Sequence, residues 1–480
     1  MKKLTKFLGI AFLAMSILSC SDDNESQPTI VDIASGDAQF STLVRALERT
    51  DLVETLDGSG QFTVFAPTNA AFTTFFNSLG AGVTVENVDA AVLKKILLNH
   101  VIGTEIKSIA LPTGTTYAKT LSPINSTDTS PTVSMFVQKS GSTITLNGGA
   151  SNGGATVTSL DIDASNGVIH VVGNVIAIPT LENHLIANPD LSLSTFVEAL
   201  QITGLVDTFN ASSDFTVFAP TNAAFEALLG PGVSVNTVPV PVLTELLKNH
   251  VLGQSYTSSE LETRYYKTLA KGAASTTNTL SMYIDLTSGV MINGGGTNGG
   301  ANVVLTKANI VVASIGVIHV VDRVIAIPTL VNHVIANPDF DTLEAVLTST
   351  GGAFGDQSAV LNALLGLTAA APATLFAPNN AALATATGTS GFANGATPVQ
   401  VSTVLQYHVT TAGNVLSSQL TNNQVVPMFT SPVQDVTVIL GSGTVDVKDT
   451  ANNLSRVFQA DIQASNGVIH GVDRVLQPAL

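Results

Sequence analysis

"FTVFAPTNAAF" spans Phe62–Phe72, and the same residues return as Phe215–Phe225. A weaker version, "ATLFAPNNAAL", runs from Ala373 to Leu383. The phrase has a grammar. Its first five residues form a short apolar strand. Pro67, Pro220 and Pro378 stop that strand, because proline cannot donate to a ladder and biases the residue before it toward extended geometry. Thr68 or Asn69 then caps a helix that begins at Ala70-Ala71-Phe72. In the third copy Asn379 and Leu383 stand where the first has Thr68 and Phe72, and the strand, stop and helix start survive.

Two more phrases recur in the same order. "LLNHV", "LKNHV" and "LQYHV" end at Val101, Val251 and Val409. Their histidines, His100, His250 and His408, lie on apolar stripes: Leu93, Ile96 and Leu97 precede His100 by seven, four and three positions. This spacing predicts a helix with the histidine near its C-terminal end. "NGVIHVV", "IGVIHVV" and "NGVIHGV" place His170, His319 and His470 in a β-branched run that predicts a strand. Gly/Asn-rich stretches such as "LNGGASNGGATV" precede it and read as turns between short strands. Each repeat opens on an amphipathic helix (Phe40, Leu43, Val44 and Leu47; Leu193, Phe196, Val197 and Leu200). Helices early and strands late argue for an α+β fold.

The repeats are domain-sized, since solenoid units run only about 20–50 residues. They divide the chain into 29–179, 180–328 and 329–480. "VIAIPTL" closes the first two, and "ENHLIANPD" or "VNHVIANPD" follows at once. With no flexible spacer between them, a stiff string is expected. Ahead of the repeats, Lys2, Lys3 and Lys6 precede the apolar run "FLGIAFLAMSIL", which reads as a secretion signal over 1–19. The only cysteine, Cys20, follows Ile17-Leu18-Ser19 and begins an acidic tether over 20–28. That setting resembles a bacterial lipoprotein box with Cys20 as the lipidated residue, and Ser21-Asp22-Asp23 resembles the export signal of surface lipoproteins. The resemblance implies an outer-membrane, surface-exposed protein held to the membrane through its N-terminal lipid. No second cysteine exists for a disulfide, so the fold rests on its core.

Lys and Arg number 19 against 35 Asp and Glu, a formal charge of −16, and only 11% of residues are charged. No basic face is available to neutralise a phosphate backbone, which excludes nucleic acid as a partner.

The TVFAP-type strand, the histidine helix and the terminal "NGVIHVVDRV" strand, in that order in all three repeats, resemble the fasciclin domain over nearly everything after residue 29. The resemblance implies a wedge of β-strands packed with helices in each repeat. It also implies a non-enzymatic role: cell adhesion or extracellular-matrix binding by tandem domains, with cell-surface or matrix protein or polysaccharide as partner. The alternative is a glycan-binding or scaffold component of a surface polysaccharide system.

Sharper readings fail on context. All eight histidines are copies of three positions, which is how a structural rule recurs, whereas a catalytic site converges once. A metal site needs three or four ligands, and no spacing supplies them; no cofactor is expected. His184 and His333 flank the joints and are candidates for inter-domain contact. "GASNG" places Ser151 in a G-x-S-x-G string, but the nucleophile elbow needs a strand before and a helix after. "DIDASNGVIH" begins like a calcium loop at Asp161, Asp163 and Ser165, yet Asn166 and Val172 occupy the places of its glycine and bidentate glutamate. Weak divalent-cation binding on the acidic surface remains compatible with the sequence. Asp322-Arg323 and Asp473-Arg474 are candidate adhesion residues, replaced in the first repeat by Gly173-Asn174. The third repeat carries an insertion, "GGAFGDQSAVLNALLGLTAAAPAT", expected to form a long apolar helix that covers a groove or offers a contact surface. Tyr407-His408 is the only Tyr-His pair. Its likeness to the integrin-binding Tyr-His motifs of animal relatives is two residues long and carries no receptor over.

Overall fold

The computed structural model describes residues 27–124, 130–210, 214–313, 316–386 and 396–479. The signal segment, Cys20 and most of the acidic tether lie outside the described residues.

Each repeat begins with short helices that pack on one side of a β-structure. In the first, Ile30–Gly36, Ser41–Arg49 and Val53–Asp57 precede the strand Phe62–Pro67, and the helices Asn69–Leu79 and Ala90–Asn99 follow. Leu43, Ala46 and Leu47 form the buried stripe of the second of these helices. The remaining strands come later in the repeat, ending in Ala155–Ala164 and Gly167–Val172. The fold is α+β, repeated three times. Each repeat has two cores, a helix-side cluster around Phe40, Phe72 and Leu93 and a strand-side cluster around Phe65, Met135 and Ile176 in the first.

The first and last phrases of a repeat are neighbours. Phe62–Pro67 pairs in parallel with Gly167–Val172, setting Phe65 opposite His170. Phe218 and His319 pair likewise in the second repeat, and Phe376 and His470 in the third. Gly167 adopts φ +146°, and a Cβ there would collide with the Phe62 backbone; Gly316 and Gly467 meet the same obstacle at Phe215 and Ala373. The motif glycine is what lets the two strands close together.

The sheets differ in closure. The first repeat forms a closed seven-stranded barrel, the second two four-stranded sheets and the third an open seven-stranded sheet. In the second, the strand equivalent to Ala155–Ala164 is broken into Ala301–Asn302 and Ile310–Val312 by the turn Leu305–Lys307, which separates the ladders. The insertion of the third repeat does not form a long helix. Its helix, Ser358–Leu365, spans eight residues, buries Val360 and Leu364, and holds the place of Val53–Asp57 in the first repeat. Gly366 and the turn residues that follow stop it.

"PTNAAF" is resolved residue by residue. Thr68 caps its own helix, accepting from the Ala71 N–H at 3.3 Å. Asn69 serves a neighbour: its Oδ1 accepts from the Thr42 N–H at 2.9 Å, at the start of Ser41–Arg49, and its Nδ2 donates to the Ala38 carbonyl at 2.8 Å. Asn222 accepts from Thr195, and Asn380 from Thr342, each at 2.9 Å. One side chain ties the opening helix to the helix after the central strand in every repeat.

Candidate functional site

The helix histidines are clips. His100 Nδ1 is 2.7 Å from the Ile96 carbonyl, and its Nε2 accepts from the Ile176 N–H at 2.8 Å. His250 joins Leu246 to Ile325, and His408 joins Val404 to Leu476, in the same way. A ring nitrogen that accepts a backbone N–H must be unprotonated, so the proton sits on Nδ1 and donates to the helix carbonyl. Each ring staples a helix end to the segment that closes the repeat. Burial pushes the pKa of all three down to about 4.

The strand histidines carry the opposite tautomer. His170 Nδ1 accepts from the Asp161 N–H at 3.2 Å, and Nε2 donates to the Ile106 carbonyl at 3.0 Å. His319 holds Asn309 and Tyr256, and His470 holds Asp461 and Val415. Burial lowers the pKa of His319 to about 4 and that of His470 in the same direction. Both nitrogens of all six motif rings are engaged by backbone, which leaves no lone pair for a metal or a substrate proton. Among the described residues, no group of three or more His, Cys, Asp or Glu is placed to hold a metal ion.

Other sequence candidates are occupied too. Ser151 sits in the 3-10 turn Ala150–Asn152, which leads into a strand, so no elbow forms. Asp161 accepts from the Ser108 N–H at 2.7 Å and from its hydroxyl, and Asp163 pairs with Lys107 at 2.9 Å. Asp322 binds the Asn302 backbone at 2.7 Å, and Asp473 the Arg456 backbone at 2.7 Å, whereas Arg323 and Arg474 are exposed. Tyr407 is wholly buried, its hydroxyl donating to the Asp435 carbonyl at 2.7 Å. The pair Tyr407-His408 is interior.

The joints hold a built set of side chains, of which the sequence named His184 and His333 alone. In the first repeat Tyr117 stacks on His184 of the second, with centroids 5.5 Å apart. Lys119 Nζ donates to the Asn309 carbonyl at 3.1 Å, and Ser134 Oγ accepts from the Val311 N–H at 3.0 Å. The second joint repeats this. Tyr265 meets His333 edge-on at 5.5 Å, Lys267 donates to the Asp461 carbonyl at 2.7 Å, and Ser281 accepts from the Gln463 N–H at 3.0 Å. Asn152 and Asn183 exchange side-chain hydrogen bonds across the first joint, as do Asn298 and Asn332 across the second. Gly148 and Gly294, both with positive φ, let that loop approach Ala187 and Ala336. His184 and His333 are thus the centres of the joints. Burial pushes their pKa down to about 3 and about 4, and it lowers Lys119 and Lys267 to about 8. On the third repeat Val425, Pro427 and Asp435 stand where the other two have tyrosine, lysine and serine.

Three copies of one α+β domain, docked through one recurring contact, define a tandem-domain protein. The fasciclin domain family model matches residues 38–179, 191–328 and 348–478, so the chain belongs to the fasciclin domain family. It is similar to Protein sll1483 of Synechocystis sp., with 37% identity over 37% of this chain and 93% of that one. It is also similar to rabbit transforming growth factor-beta-induced protein ig-h3, 26% identical over 53% of this chain and 33% of that one. Human periostin is 27% identical over 47% and 24% of the two chains. A solved FAS1 domain pair from the insect cell adhesion molecule fasciclin I aligns with a TM-score of 0.38 and 16% identity, covering 60% of this chain and 97% of that one.

Proposed function

We propose that this chain is a non-enzymatic surface lipoprotein, anchored in the outer membrane through Cys20, that presents its three fasciclin domains as a multivalent adhesive rod. Its partners are cell-surface or matrix protein or polysaccharide, with a weakly held divalent cation compatible with the acidic surface. One observation carries the reading. The same side-chain clasp recurs at both joints, which holds the three domains in a fixed relation and repeats their outer faces along one body. Weak sites held at fixed spacing gain avidity without any single tight pocket. The engagement of every motif histidine in backbone hydrogen bonds supports a scaffold over catalysis.

The anchor is tested by Cys20→Ser. The variant is expected to move from the membrane fraction to the soluble fraction, while protease added to intact cells degrades the wild-type protein. Wild-type protein protected from external protease, or a variant still sedimenting with membranes, would refute this part of the proposal.

A further inference from the structure

The first and third repeats act as internal controls for the second. After the short strand that follows each histidine helix, a loop is pinned in one way in all three. Thr63, Thr216 and Thr374 each bind it twice, donating to the carbonyls of Thr104, Gln254 and Gly413 at 2.7 Å and accepting from the N–H groups of Ile106, Tyr256 and Val415. The strand histidine then takes the carbonyl of Ile106, Tyr256 or Val415. The backbone is the same, and the side chains are not. The second repeat alone places Gln254 and Tyr256 on the loop with Arg264 and Tyr266 on the facing strand. Register puts Thr116 and Ala118 at the latter two places in the first repeat, and Gln424 and Val426 in the third. Since two sibling domains fold without this cluster, the fold does not require it.

The cluster lines two adjoining clefts of about 300 Å³ each that share Gln254 and Tyr256. One contains Arg264 and Tyr266; the other lies toward the first repeat and contains Asp214, Glu260 and Pro131. The corresponding cleft of the first repeat is larger, about 480 Å³, and has Ile106, Ala118 and Thr116 where the second has its polar and aromatic groups. Tyr256 and Tyr266 meet at 73°, and the Arg264 guanidinium covers the Tyr266 ring at 4.1 Å. That leaves Tyr256 as the platform, its hydroxyl hydrogen-bonded to Gln254 and its backbone fixed on both sides. A pre-fixed ring loses little freedom on binding.

We propose that the second repeat binds a short stretch of hydroxyl-rich polysaccharide in this double cleft. A sugar ring offers an apolar C–H face, which Tyr256 covers. Its hydroxyls both donate and accept, which matches an amide and a guanidinium on one side and carboxylates on the other. A proline-rich peptide docks along a groove of aromatic rings, whereas here Arg264 covers Tyr266 and Tyr265 packs on His333. The proposal develops the glycan-binding alternative and does not depend on the adhesive reading.

The test is a glycan array of neutral and uronate hexasaccharides probed with the full protein, followed by calorimetry on the strongest ligand. The graft Gln254→Thr, Tyr256→Ile and Arg264→Thr installs the first repeat's own residues. It is expected to weaken binding at least tenfold without changing the unfolding temperature. Should the graft unfold, the exposed single change Arg264→Thr reads the same loss. Absence of any saccharide binding by the wild type, or undiminished binding by the variants, overturns the proposal, as does binding of a proline-rich peptide at this cleft in place of sugar. Cell retention scored on the same variant separates the two readings, since adhesion that survives the loss of sugar binding leaves the adhesive reading standing.

Discussion

Lowering the pH from 7.5 to 5 is expected to unfold the second domain. Buried histidines with depressed pKa values are neutral in the native state, whereas in the unfolded chain they titrate near 6.5. Between those values the unfolded state binds more protons, so stability is fully present above pH 6.5, falls as the pH drops, and stops falling near pH 4. At pH 5 each ring with a native pKa of about 4 costs about 2 kcal/mol, from roughly 1.4 kcal/mol per pH unit. The second domain holds His250 and His319 at about 4 and His184 at about 3, which costs about the same at pH 5. Together they cost about 6 kcal/mol, comparable to the whole stability of a typical domain, about 5–15 kcal/mol. The third holds His333 and His408 at about 4, with His470 lowered as well, and the first holds His100 at about 4. Denaturant unfolding across this range, followed by domain-resolved hydrogen exchange, measures the loss. Equal stability at pH 7.5 and pH 5 would contradict the neutral-clip assignment.

The second large effect is Gly316→Ala. The new methyl would lie well inside van der Waals contact of the Phe215 carbonyl oxygen, at a backbone φ of +127° that alanine rarely adopts. Relief requires parting the parallel strands Phe215–Pro220 and Gly316–Val321, and with them the seat of His319. The expected cost is about 4 kcal/mol or more, the range reserved for strain and backbone collision. For a domain of this size the transition of the second repeat should fall by about 8–16 °C, from about 2–4 °C per kcal/mol. Gly204→Ala is the control: φ is +68° and no atom lies within 4 Å of the new methyl. It should cost only about 1–2 kcal/mol, the backbone term alone. Equal losses in the two variants would show that the close approach of the strands is not what the motif glycine serves.

The repeats, their phrases and the element type of each phrase were legible in the sequence because helical and strand periods are local. The parallel pairing of the first phrase with the last was not, since Phe65 and His170 lie far apart in sequence and no local signal specifies their register. Asn69 was read as an alternative to Thr68 for one cap; it caps a different helix, a relation visible only in three dimensions. At the joints His184 and His333 were named from the sequence, and their partners were missed for a different reason. Tyr117, Lys119 and Ser134 recur as Tyr265, Lys267 and Ser281 and are replaced in the third repeat by Val425, Pro427 and Asp435. That two-of-three pattern is present in the sequence, and weighing differences between repeats as closely as likenesses would have found it. The same comparison exposes Tyr256 and Arg264. The insertion of the third repeat misled because its apolar residues suggested length, whereas the glycines around Ser358–Leu365 confine the helix to two turns.

The adhesive claim is tested most directly by retention of cells under flow on a surface coated with their own extracellular matrix, comparing wild type, a deletion of this chain and Cys20→Ser. The account predicts that wild-type cells are retained and that the deletion and Cys20→Ser strains wash away alike, because a released rod no longer joins cell to matrix. Equal retention of all three strains would contradict it.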